Sequence, residues 1–286
     1  MAIRIITDST SDIPNNILES LNIEVVSLYV TFGEESFKSQ HFKNEEFYIK
    51  MEKEGIPVSS QPSVGDMMEA MEKIVKVGDD VICVFISSGL SGTYQNALLS
   101  KDLLKKDYPN ANIAVIDSGS VSMELGFAAI KGANLAKAGS DFDTVVKEIE
   151  ETIKYTRFIF LPDNLDYLHK GGRIGGAGKL FGNMLKITPI LTIIDNKIEI
   201  FQTVRTKSRA KKVMVDKLME DHEKYGVEEV VIHHINSYQE AREIKDNLDD
   251  ILMAKISIQD MGPVIGLHVG PGSVGLAYRT NKMIAD

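Results

Sequence analysis

Short runs of β-branched residues recur along this chain, and segments of helical spacing lie between them. "IRIITDS" (Ile3–Ser9), "IEVVSLYVTF" (Ile23–Phe32), "VICVFISS" (Val81–Ser88) and "NIAVIDS" (Asn112–Ser118) are apolar almost throughout. That continuity suits strands covered on both faces, whereas a strand with one wet face alternates apolar and polar residues. Helical patterns separate the runs at Asn15–Leu21, Val64–Val77, Thr93–Lys106 and Met123–Lys137. The alternation predicts a largely parallel sheet with helices on both faces.

The second half follows another rule. "RFIFLPD" (Arg157–Asp163) reads as a strand, and "ILTIIDNKIEIFQTVR" (Ile190–Arg205) as two strands around an Asp195–Asn196 turn. A helix with apolar positions at Val213, Val215, Leu218 and Met219 follows. Then come strands in "VEEVVIHHI" and "AKISIQD" with a helix between them, and a last strand in "GSVGLAYRT". The hairpin implies a mixed sheet. With 286 residues, 43% of them hydrophobic, the chain can bury two cores. The expectation is therefore two α/β domains, residues 1–155 with a mainly parallel sheet and residues 156–286 with a mixed one. No low-complexity linker separates them, so they should pack directly, with the ligand cleft between them.

Charge and cysteine content narrow the function classes. There are 41 acidic and 32 basic residues, a formal charge of -9, and no dense Lys/Arg run. Neither a phosphate-tracking nucleic-acid surface nor a polybasic membrane patch is expected. Cys83 is the single cysteine, so there is no disulfide framework, and inside its apolar run it reads as a small buried hydrophobe. The N-terminus lacks the apolar stretch of a signal peptide, and no transmembrane-length run follows, so the expected compartment is cytoplasmic. His233 and His234 are adjacent on a strand and point to opposite faces, a poor metal pair; no metal site is expected.

Four polar stretches sit where strands end. "TDSTSDIP" (Thr7–Pro14) reads as a helix cap by Ser11 or Asp12, or as a cleft wall. In "SSQPS" (Ser59–Ser63), Ser63 reads as an N-cap paired with Asp66, leaving Ser59 and Ser60 in need of other partners. "SSGLSGTYQNA" (Ser87–Ala97) admits three readings: a cap, an anion site at a helix start, or a nucleophile at Ser91 with His268 as base. It is not a G-x-S-x-G elbow. "KGGRIGGAGKLFG" (Lys170–Gly182) fails as a phosphate loop, since Arg173 replaces the first Gly and Leu180 the hydroxyl. "GPGSVG" (Gly270–Gly275) runs into a strand-like segment where a dinucleotide fingerprint would open a helix.

"TDSTSDIP", "SSQPS", "SSGLSGTYQNA", "LDYLHKGGRI", "KITPIL" and "GPVIGLHVGPGSVG" occur in that order. In this the chain resembles the DegV family, bacterial fatty-acid-binding proteins that serve as the carrier subunit of fatty acid kinase. The resemblance spans Ile3 to about Arg279. It implies two α/β domains with an acyl chain buried between them, and no catalysis by the carrier itself. The expected ligand is a long-chain fatty acid such as palmitate, stearate or oleate, with no other cofactor. The expected partners are the kinase's catalytic subunit and acyltransferases that use acyl phosphate for phospholipid synthesis, with transient membrane-surface contact allowed. The family motif Thr-Ser-Gln-Pro has Ser59 in place of Thr here. By resemblance, Ser59 and Ser91 donate to the carboxylate, Ser60, Gln61 and Thr93 line the same pocket, and His268 sits close to the head group. Arg173 lies at the mouth, for kinase docking or phosphoryl transfer. Two other readings stand beside this one: a serine hydrolase or acyltransferase using Ser91 and His268, and a carrier of another amphipathic carboxylate.

A carboxylate only accepts hydrogen bonds, so clustered hydroxyls are a fitting grip. The tail is expected to run through the helix Met123–Ala138 and through Phe181, Met184, Leu185 and Ile187. The glycines around Arg173 predict an exposed, mobile loop.

Overall fold

The computed structural model describes residues 2–181 and 187–285. The first half runs β1 (Ile3–Asp8), α1 (Asn15–Leu21), β2 (Glu24–Val26), β3 (Tyr29–Phe32), β4 (Glu35–Lys38), α2 (Asn44–Glu54), β5 (Val58–Ser60), α3 (Val64–Val75), β6 (Asp80–Phe85), α4 (Thr93–Asp107), β7 (Ile113–Asp117), α5 (Ser122–Lys137) and α6 (Phe142–Ile153). The second half runs β8 (Thr156–Leu161), α7 (Asp166–Lys170), β9 (Thr188–Ile194), β10 (Lys197–Val204), α8 (Lys207–Tyr225), β11 (Val227–His234), α9 (Tyr238–Asp249), β12 (Lys255–Asp260), α10 (Pro263–Val269) and β13 (Val274–Thr280).

β2-β1-β6-β7 form a sheet in which every pairing is parallel. β10-β9-β8-β13-β11-β12 form a mixed sheet in which only β11 and β12 run parallel. Asp195 and Asn196 both take positive φ at the β9–β10 hairpin, as the favoured two-residue turn requires.

A third sheet, β4-β3-β5, corrects the sequence reading. Ile23–Phe32 is not one strand. It breaks at Ser27 and Leu28, where side chains replace the ladder: Ser27 donates to the Leu28 carbonyl at 3.0 Å, and Leu28 N–H donates to Ser9 Oγ at 3.0 Å. β2 thus joins the parallel sheet while β3 leaves it. The small sheet carries Ser59 and Ser60 on β5.

The cap expectations divide. Ser63 and Asp66 form a reciprocal capping box on α3. Ser11 and Asp12 do not cap α1, whose N-cap is Pro14.

α5 lies between the two large sheets, packing on β1 and β6 from one side and on β8 and β13 from the other. The largest hydrophobic core is continuous across this seam, joining Ile5, Val84 and Leu125 to Phe158, Leu191 and Ala277. Two further cores lie beneath α3–α4 and beneath α8–α9. No helix among the described residues is long and apolar enough to cross a membrane.

Candidate ligand-binding site

A cavity of about 260 Å³ opens in the seam. Its walls come from both halves. Leu28, Ile86, Leu90 and Val121 close one side; Phe158, Phe160, Leu168, Ile193 and Ile198 close another; Val264, Ile265 and Val269 of α10 close a third. Phe158 and Phe160, two apart on β8, stack with centroids 5.3 Å apart and present one aromatic face.

The polar lining consists of Ser59, Ser60, Gln61, Ser91, Arg173 and His268. A circuit of contacts joins most of it. Ser59 Oγ lies 2.8 Å from His268 Nε2. The other face of the imidazole rests on Gly171, where an added Cβ would come within 2.1 Å of His268 Nδ1. The Arg173 guanidinium donates from Nη1 to the Gly171 carbonyl at 2.7 Å and from Nε to the Leu90 carbonyl at 3.0 Å. Ser91 follows Leu90, and Gln61 packs on Gly92 so closely that a Cβ there would meet its amide at 2.2 Å. The hairpin tip braces this loop from the second half, with Ser87 Oγ donating to the Asn196 carbonyl at 3.0 Å.

Burial, aided by the Arg173 charge, pushes the His268 pKa down to about 4, so the ring is neutral near pH 7. Nδ1 is buried with no hydrogen-bond partner among the described residues. An orphaned N–H is costlier than an orphaned lone pair, which places the proton on Nε2. Nε2–H then donates to Ser59 Oγ and leaves the Ser59 hydroxyl proton free to point into the cavity.

Thr93 stands apart. It is buried and does not line the cavity, but its Oγ1 lies 2.9 Å from Ser91 Oγ and its N–H donates to the same atom at 3.3 Å. Its role is to set the Ser91 rotamer. Arg173 also departs from expectation: it is half-buried and bracketed by two carbonyls, because the glycines let the chain fold into the end of α7 and a 3-10 turn (Gly175–Leu180). The helix expected to carry the tail, Met123–Ala138, contributes nothing to the lining, and neither do Phe181 and Ile187. Met184 and Leu185 lie outside the described residues. The apolar lining residues went unrecognised because in sequence nothing separates a cavity-facing Phe or Ile from a core one. The serine paired with His268 is Ser59, not Ser91, and no carboxylate among the described residues orients the ring.

The lining contains hydroxyls, an amide, one cation and a neutral imidazole, and no Asp or Glu among the described residues. It is a donor-rich patch opening onto an apolar space.

A family model described as "Uncharacterised protein, DegV family" matches residues 2–281. A DegV domain-containing protein of Clostridium acetobutylicum is 49% identical over 282 residues, covering 99% of each chain. The chain belongs to the DegV family. Among solved DegV structures, that of Bacillus subtilis, described as a fatty acid binding protein, matches with a TM-score of 0.89 at 32% identity, over 98% of this chain and 99% of that one. A stearic-acid-binding protein from Eubacterium ventriosum matches with a TM-score of 0.88 at 26% identity, over 98% of each. The arrangement of two α/β domains described above is the DegV arrangement.

Proposed function

We propose that this chain holds a long-chain fatty acid between residues 1–155 and residues 156–286 and presents its carboxylate to a separate ATP-dependent kinase. The observation that carries the binding step is the lining itself, an acid-free donor patch on an apolar cavity at the seam of a fold whose relatives are described as fatty-acid-binding. Ser59 and Ser91 donate to the carboxylate, with Ser60 and Gln61 beside them. Charge-assisted hydrogen bonds contribute roughly 1.5–3 kcal/mol each. Burial of each CH₂ adds about 0.8 kcal/mol, so a palmitoyl-length tail gains on the order of 10 kcal/mol. The tail dominates affinity, and the head-group donors fix the position of the oxygen.

Hydroxyls hold the carboxylate without pairing it to a fixed cation, which leaves an oxygen able to attack a phosphoryl donor. The product is an acyl phosphate, consumed by an acyltransferase. Arg173 has Nη2 without a hydrogen-bond partner among the described residues, and it is the group that would meet a kinase or a transferring phosphate.

Denaturing extraction of the purified protein, followed by lipid mass spectrometry, tests the binding step. Recovery of a fatty acid at near-equal stoichiometry is expected. Recovery of a different amphipathic carboxylate would reassign the ligand, and no acyl species together with no binding of palmitate or oleate would overturn the proposal. Acyl-phosphate formation on addition of the kinase subunit and ATP tests the second step.

A further inference from the structure

The loop that carries Ser91 is held by both halves of the chain. On its own side, Ile86 N–H donates to Asp8 Oδ2 at 2.7 Å and Ser88 N–H to Asp117 Oδ1 at 3.1 Å. From the second half, the tip of the β9–β10 hairpin reaches into it. Ser87 Oγ lies 3.0 Å from the Asn196 carbonyl oxygen and 3.2 Å from Asn196 Oδ1, and its one proton serves both. Ser87 and Asn196 are 109 positions apart, so this contact forms only across the seam.

Glycines make the seat for the tip. A Cβ added at Gly89 would come within 2.2 Å of the Asn196 carbonyl oxygen, and one at Gly119 within 3.3 Å of Asn196 Oδ1. Gly89 does not hold a positive φ, so its backbone makes no demand for glycine; the space taken by Asn196 does.

Ser87 passes the position of the tip to Ser91. Its carbonyl accepts from Leu90 N–H at 3.0 Å and from Ser91 N–H at 3.1 Å, which closes a tight turn. A shift of Ser87 therefore carries Ser91 with it. The same hairpin also walls the cavity. Ile193 and Ile198 face each other across β9 and β10 just behind the tip, and both belong to the lining. An apolar chain lying on this pair touches the element whose tip sets Ser91.

We propose that Asn196 is a positioning residue for the head group: seated between Gly89 and Gly119, it sets Ser91 through Ser87, so the carboxylate is gripped in full only while the hairpin closes over the tail. The carboxylate as ligand rests on the fatty-acid reading above; the seating of the hairpin does not. Without the Ser87 hydroxyl the hairpin keeps its turn and loses its hold on the loop. A hydrogen bond to an ionised carboxylate is stronger than one to a neutral ester, so a displaced Ser91 penalises the acid more than the ester. Burial of the tail contributes equally to both.

Displacement of a fluorescent fatty acid from the full chain, by palmitate and by methyl palmitate, separates head group from tail. Ser87→Ala should weaken palmitate about tenfold and methyl palmitate much less. Equal losses for acid and ester would show a general structural role and overturn the proposal, as would no loss for either. A double-mutant cycle fixes the route: on a Ser91→Ala background, Ser87→Ala should have almost no further effect on palmitate. A second loss of the same size there would show that Ser87 acts elsewhere and overturn it. Gly89→Ala, at an exposed position, is the independent variant should Ser87→Ala not fold. Its methyl unseats the tip, so the preference for acid over ester should fall, and the Leu90 and Ser91 amides of the ligand-free protein should exchange with solvent faster than in wild type. Unchanged exchange overturns the seating. If wild type binds no fatty acid, the fatty-acid reading fails, and the exchange comparison still decides whether the tip sets the loop.

Discussion

Ser59 and His268 come from positions 209 residues apart and meet at 2.8 Å across the seam. Ser59 stands on an edge strand of the small sheet and His268 on the last turn of α10. Their hydrogen bond exists only while the two halves are closed on each other. Ser59→Ala should lower fatty-acid affinity by roughly ten- to a hundredfold, the cost of one charge-assisted bond, and Ser59→Thr should keep wild-type affinity. Displacement of a fluorescent fatty acid measures both. Equal affinity of wild type and Ser59→Ala would remove Ser59 from the grip.

Ser91→Ala should depress kinase-coupled turnover more than affinity. One head-group bond is small beside burial of the tail, but a misplaced oxygen is costly in rate. Loss of all binding with the fold intact would show that the head group dominates.

Arg173 ties Leu90 to Gly171. Arg173→Ala frees both carbonyls and should cost about 1.5–3 kcal/mol, read as a melting temperature several degrees lower. It should also let the His268 pKa rise from about 4, since the guanidinium charge contributes to its depression. Ring-proton NMR follows that shift. An unchanged melting temperature with lost turnover would make Arg173 purely a docking residue.

Acid should weaken the fold through His268. Its folded pKa of about 4 lies below the ordinary 6.5, so the native state binds fewer protons than the unfolded chain in that window. The stability it contributes is present above 6.5 and is lost as pH falls toward and through 4. His268→Gln should flatten this limb of a melting-temperature profile relative to wild type. An identical profile would mean that the ring titrates normally.

Asp221 is a control on the other face of the mixed sheet. It accepts from Arg157 Nε at 2.9 Å and from Tyr278 OH at 2.8 Å, all three groups being buried. Asp221→Ala removes the carboxylate that Arg157, Tyr278 and Lys217 share and should cost about 1.5–3 kcal/mol in denaturant unfolding. Ligand affinity of the folded protein should not change.

Residues that act locally were legible in the sequence. The Asp195–Asn196 turn, the Ser63–Asp66 capping box and the span of α1 all follow from neighbours a few positions apart. α10 was missed because "PVIGLHV" is apolar on every side and shows no helical stripe, its burial being supplied by α7, α2, β3 and β5, all distant in sequence. The split of Ile23–Phe32 turns on Ser27, which bonds the neighbouring Leu28 carbonyl, and on Ser9, which reaches Leu28 N–H from the end of β1. The hydroxyl motifs announced themselves as odd for their surroundings. Phe158 and Val264 did not, because facing a cavity leaves no mark on an apolar residue.

The core of this molecule runs unbroken from one sheet to the other except where the cavity interrupts it. An apolar molecule that binds at this cavity in the folded form and not in the unfolded chain favours the folded form by mass action. Supply of that molecule then governs how long each copy survives proteolysis. On the reading proposed above, abundance of the protein would rise and fall with its ligand, with no need of a sensor or a transcriptional response.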